Sequence, residues 1–127
     1  MLHDWGSRDA GFIAINRAVL DRLVALIGGQ GDFVTVPMQG SGTFAVEAML
    51  TCFVPPGGTA LVLVNGAYGE RAKRILETAG RRVVVHETAE DKAPDVAEID
   101  RLLAATPEIG HVFAVQCETT SGILNPI

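Results

Sequence analysis

The run Gln39-Gly40-Ser41-Gly42-Thr43-Phe44-Ala45-Val46-Glu47-Ala48-Met49 has the make-up of an anion cradle. Two glycines and two hydroxyls stand between an apolar, β-rich stretch and an amphipathic helical pattern. The leading amides of a helix lack intrahelical partners and carry the positive end of its dipole, so a phosphate at that point accepts several hydrogen bonds at once. Gly40 and Gly42 allow close backbone approach, and Ser41 and Thr43 add hydroxyl donors. An ordinary tight turn uses the same residue types, but phosphate is the ligand this chemistry favours.

Two further loops carry chemistry. Tyr68, the only tyrosine, stands among small residues in Asn65-Gly66-Ala67-Tyr68-Gly69, where its ring is free to cover a flat ligand. A half-buried tyrosine at a helix start is the plain alternative. The third loop, Cys117-Glu118-Thr119-Thr120-Ser121-Gly122, offers successive hydroxyls for the polar edge of a ligand, although serine and threonine also serve simply as loop formers. Gly40-x-Gly42-x-x-Ala45 matches a dinucleotide fingerprint in form, but the next strand ends in Asn65 and lacks the acidic residue that binds ribose hydroxyls.

The elements that must position these loops follow from periodicity. Phe12, Ile15, Val19, Leu23 and Leu26 recur at helical spacing, predicting an amphipathic helix over 9–27. A short buried strand is expected over 33–38 and a helix over 44–53. Strands over 59–64, 82–86 and 111–117 then alternate with helices over 68–79 and 95–105. Such alternation, with strands as aliphatic as Ala60-Leu61-Val62-Leu63-Val64, predicts an α/β fold with a mostly parallel sheet covered on both faces. Ligands of such sheets sit beyond the carboxyl ends of the strands, where all three loops fall.

Composition bounds the reading further. The 127 residues carry a formal charge of −5, and the arginines are scattered, which argues against nucleic acid as a partner. No apolar run is long enough for a membrane span, and the N-terminus has no leader pattern, so a soluble, cytoplasmic protein is expected. Cys52 and Cys117 fit neither a disulfide framework nor a zinc pattern and read as buried free thiols. His3, His86 and His111 stand outside every motif, so no metal site is expected.

Taken together, the blocks at 39–48, 65–71 and 117–127 resemble those of the fold-type I, class V pyridoxal-phosphate aminotransferases. Within that family the likeness is to the branch acting on 2-aminoethylphosphonate and pyruvate. It covers essentially the whole chain in motif order and spacing, including the opening Asp4-Trp5-Gly6-Ser7-Arg8-Asp9. The resemblance implies that Ser41, Gly42 and Thr43 hold the phosphate of pyridoxal 5′-phosphate, that Tyr68 lies against its pyridine face, and that Thr119 hydrogen-bonds its ring oxygen, with Thr120 the substitute one position on. Glu47, Glu70 and Arg71 belong to the motifs and are assigned to support of the fold. A homodimeric parent enzyme producing phosphonoacetaldehyde and alanine is implied as well.

The family's chemistry also needs a lysine to carry the cofactor and an aspartate to keep the pyridine nitrogen protonated. Lys73 and Lys92 are the only lysines, and neither stands in the family's lysine context. The expectation is therefore a partial large domain spanning 1–127, without the small C-terminal domain, whose residues would orient the cofactor of the parent enzyme and include no catalytic residue. A non-catalytic phosphate- or nucleotide-binding α/β module, an interaction fragment, and a class V aminotransferase acting on another amine are the alternatives.

Overall fold

A computed structural model describes residues 3–127. The chain divides into two compact units, Met1–Gln39 and Gly40–Ile127.

The first unit is built on helix α1 (Ala10–Leu26). Asp9 caps it, its carboxylate accepting from the amides of Gly11 (2.8 Å) and Phe12 (3.3 Å), which the first turn would otherwise leave unpaired. At the other end Gly28 takes φ 65° and the Gly29 amide donates to the Val24 carbonyl at 3.0 Å, a glycine stop. The helix expected over 9–27 is thus present, with its outermost residues as caps. The strand expected over 33–38 is not formed. An apolar run becomes a strand only when a neighbour takes up its amides and carbonyls. Among the described residues none does; the Thr35 hydroxyl donates to the Leu20 carbonyl (3.2 Å), and Phe33, Val34, Val36 and Met38 remain exposed.

The second unit runs α2 (Gly42–Phe53), β1 (Thr59–Val64), α3 (Ala67–Thr78), β2 (Arg82–Glu87), α4 (Val96–Ala105), β3 (Ile109–Phe113), β4 (Cys117–Glu118) and β5 (Ile123–Leu124). The first three strands form a parallel sheet in the order β2-β1-β3, and β4 and β5 form an antiparallel pair. This is the α/β fold expected. Every residue of β1 is buried, as its unbroken aliphatic run requires of a central strand. Ala60, Val62 and Val64 pack with Leu50 of α2, Val54 just after it, and Ala72 and Leu76 of α3, while the alternate Leu61 is buried on the other face. Gly69 lets α3 lie close on β1: a Cβ there would stand 2.9 Å from the Leu63 carbonyl oxygen.

The chain leaves β1 through α3 to β2, then returns past β1 through α4 to β3. Right-handed crossovers in opposite directions put α3 and α4 on opposite faces, and the carboxyl ends of β1 and β3 become the point where the winding reverses. At the other edge Arg81 ties the helices down, donating to the carbonyls of Val54 (3.0 Å), Thr51 (3.1 Å) and Ala79. A cation there meets the negative ends of α2 and α3 together.

The strand expected over 111–117 begins earlier and stops at Phe113. Beyond that point the chain pairs with its own C-terminal segment: the Asn125 side-chain amide donates to the Val115 carbonyl (2.7 Å) and its backbone amide to that of Gln116 (2.6 Å). Cys117 then opens β4. Both cysteines, expected to be buried, are exposed. Helix α2 turns Leu50 and Val46 to the core and Cys52 away from it, and the alternation of β4 gives the inward position to Glu118. Among the described residues no helix is long and apolar enough to cross a membrane, and no group of side chains could hold a metal ion.

Candidate functional site

A pocket of about 220 Å³ opens at the carboxyl ends of β1 and β3, lined by Gly42 and Thr43 of α2, Tyr68 and Arg71 of α3, and Phe113, Ala114 and Val115 at the end of β3. Three of the residues singled out from the sequence, Gly42, Thr43 and Tyr68, therefore share one cavity. A larger groove of about 770 Å³ lies within the first unit, with Phe12, Leu20, Val24 and Phe33 among its walls; among the described residues Arg17 and Asp21 are the charged ones lining it.

The glycine bend is an N-cap. Ser41 is extended (φ −82°, ψ 170°), its Oγ accepts from the Phe44 amide (3.2 Å), and its carbonyl accepts from the Ala45 amide (3.1 Å). That leaves the amides of Gly42 and Thr43, both on the pocket wall, without intrahelical partners. A Cβ built on Gly42 would meet no atom within 4 Å, so the backbone there stands open to a ligand. Gly40 serves differently, because a Cβ on it would meet the Phe44 ring at 2.5 Å; this glycine admits the ring that packs across the bend.

Helix α3 begins beside the same pocket, but its positive end is already answered from within. Its N-cap, Gly66, has no side chain, and the Glu118 carboxylate fills the place. Glu118 is fully buried and accepts from the Thr120 hydroxyl (2.7 Å) and amide (3.2 Å). Burial pushes its carboxyl up, but the Thr120 hydroxyl and amide and the nearby amides of Gly69 and Tyr68 outweigh this and hold it below the usual carboxylate range. Glu118 thus sets a negative charge at the start of α3, while its Oε2 makes no hydrogen bond, and at the start of α2 no carboxylate is present among the pocket residues described.

The remaining loops are cross-braced. Asn65, at the end of β1, and Asn125 exchange side-chain hydrogen bonds (2.8 and 3.2 Å), and Asn65 also donates to the Lys92 carbonyl (3.0 Å). The Thr120 hydroxyl accepts from the Ala67 amide (3.2 Å) while it donates to Glu118, so its single proton is spent. Thr119 is exposed on the same turn and does not line the pocket. Of the two threonines it is the one whose hydroxyl is not committed to the fold.

Arg71, expected only to support the fold, has a larger part in the structure. It lines the pocket, donates from Nη1 to Thr43 Oγ1 (3.1 Å), and sets its guanidinium 5.1 Å from the centre of the Tyr68 ring. The helical spacing of Tyr68 and Arg71 is a signal for their contact; nothing local links either to Thr43. Lys73 sits on Glu70 at 3.2 Å, and among the described residues no lysine lines the pocket.

No family model matches the chain. Along all 127 residues it is related to curated proteins named 2-aminoethylphosphonate–pyruvate transaminase, 50% identical to that of Pseudomonas putida strain W619 and 48% to that of Pseudomonas aeruginosa strain UCBPP-PA14. It spans 34% of the length of each, about a third. Among solved structures it resembles pyridoxamine–pyruvate aminotransferase from Mesorhizobium loti (TM-score 0.85, 22% identity, 98% of this chain and 31% of that one). Alanine–glyoxylate aminotransferase from Nostoc is similar (TM-score 0.82, 23% identity, 98% of this chain and 33% of that one). These likenesses show the fold.

Proposed function

We propose that this chain, a full-length match to one third of the 2-aminoethylphosphonate–pyruvate transaminases, forms the phosphate- and ring-binding part of a pyridoxal 5′-phosphate-dependent enzyme of that specificity. The reaction moves the amine of 2-aminoethylphosphonate to pyruvate and yields phosphonoacetaldehyde and alanine. The observation that carries the reading is the convergence of the open α2 N-terminus and the Tyr68 ring on one pocket at the winding reversal of the sheet.

The residues fit the cofactor. The amides of Gly42 and Thr43, with the hydroxyls of Ser41 and Thr43, would bind the phosphate at the positive end of α2. Tyr68 would cover the pyridine ring, and Thr119 would donate to the ring oxygen. When bound, pyridoxal phosphate supplies the electron sink on which amine transfer depends. The chain's own share is to hold and orient it. Among the described residues the pocket has no lysine to carry the cofactor, so the 127 residues alone are expected to turn over no substrate.

Titration calorimetry of the purified chain tests this. Pyridoxal 5′-phosphate binding that weakens in T43V and in Y68A supports the reading. Tight binding of a nucleotide with no response to pyridoxal phosphate overturns it in favour of a nucleotide module. Measurable transamination by the chain alone refutes the expected inactivity.

A further inference from the structure

Arg71 is the only charged residue among the described residues lining the pocket. Its neighbours on α3, Lys73 and Arg74, are both engaged by Glu70, each at 3.2 Å. No described carboxylate pairs with Arg71. Its guanidinium is instead divided between the Thr43 hydroxyl and the Tyr68 ring, both on the pocket wall.

The chemistry of that contact is directional. A guanidinium has only donors, so Thr43 Oγ1 must accept from it, and the hydroxyl's one proton must point elsewhere. Thr43 stands in the first turn of α2, on the pocket wall, beside amides without intrahelical partners. We infer that Arg71 is a positioning residue for phosphate recognition: by donating to Thr43 it commits that hydroxyl to donate to the phosphate. The same side chain steadies the Tyr68 ring, so the phosphate and ring contacts are organised by one cation. This inference rests on the cofactor reading above.

The test compares pyridoxine 5′-phosphate with pyridoxine by calorimetry on the 127-residue chain. Neither carries an aldehyde, so neither condenses with Lys73 or Lys92. The ratio of the two affinities isolates the phosphate contribution. The wild-type chain is expected to prefer the phosphorylated form, and R71M and T43V each to reduce that preference about three- to tenfold, the scale of one hydrogen bond of ordinary net strength. The double variant is expected to lose no more than the larger single loss, because one interaction has been removed twice. R71K, which keeps the charge without the planar fork, is expected to fall between.

An unchanged ratio in R71M overturns the inference and leaves the cofactor reading standing. Losses that multiply in the double variant also overturn it, since Arg71 would then act as an independent charge. A wild-type chain with no preference for the phosphorylated form overturns both. Arg71 is exposed, so the fold does not depend on it; circular dichroism of each variant checks this, and R71Q replaces any that is altered.

Discussion

The carboxyl end of Glu118 fills the space in which a side chain at Gly66 would lie: a Cβ built on Gly66 would stand 2.9 Å from Glu118 Oε1 and closer still to its Cγ and Cδ. The two residues are far apart in sequence, yet each explains the other. Without a side chain Gly66 cannot cap α3, and the room it leaves admits a buried carboxylate that can.

The first prediction concerns that fit. G66A should destabilise the chain by about 2 kcal/mol or more, because the fully buried Glu118 side chain cannot yield without breaking its hydrogen bonds to the Thr120 amide and hydroxyl. E118A should cost a similar amount by removing the acceptor for the Thr120 amide and hydroxyl and the negative charge beside the start of α3. Urea denaturation of the double variant should show a smaller loss than the sum of the two, since the clash and the cap occupy one volume.

Acid sensitivity follows from the same carboxylate. Its folded-state pKa lies below the ordinary value, so the unfolded chain binds a proton first as pH falls. The stabilisation is complete above the unfolded carboxylate pKa of about 4.3 and is lost as pH drops from there through the lower folded value. E118Q should lower the melting temperature at pH 7 and flatten the decline below pH 5. Thermal melts of both proteins from pH 7 to pH 3 measure this; parallel curves would remove Glu118 as the source.

A third expectation lies in the amide pair. Asn65 and Asn125 are buried and exchange two hydrogen bonds while holding the carbonyls of Lys92 and Val115. N125A should cost about 1–3 kcal/mol, the penalty for leaving buried polar groups unsatisfied. Hydrogen exchange should quicken in the C-terminal segment at 123–127 before it does in β1.

The fourth concerns the α2 cap. S41A removes the acceptor for the Phe44 amide and should lower stability by about 0.5–2 kcal/mol. It should also weaken pyridoxal phosphate binding, whereas S41D should restore the cap and repel the phosphate. Denaturation and calorimetry on the two variants separate capping from binding.

Much of the second unit is legible in the sequence because its signals are local. β1 reads as a buried strand from Ala60-Leu61-Val62-Leu63-Val64, and Asp95, just before the α4 pattern, caps that helix through the amides of Ala97 and Glu98. The segment 33–38 is also largely apolar, though broken by Thr35 and Pro37, and forms no strand, because a strand is a property of two segments and the pattern belongs to one. The cysteines depart from expectation for a related reason: composition says how often thiols are buried, whereas Cys117 is turned out by Glu118 taking the inward place beside it.

The sequence by itself determined the alternation of helices and strands from α2 to β3 and the glycine bend before α2, since periodicity, capping and turn chemistry act over a few residues. Only the tertiary structure decided that Arg71 reaches Thr43 across 28 positions, that Asn65 meets Asn125 across 60, and that Glu118 fills the space beside Gly66 at the start of α3. Those pairings depend on how strands and helices pack, and packing is set by the shapes of many side chains together.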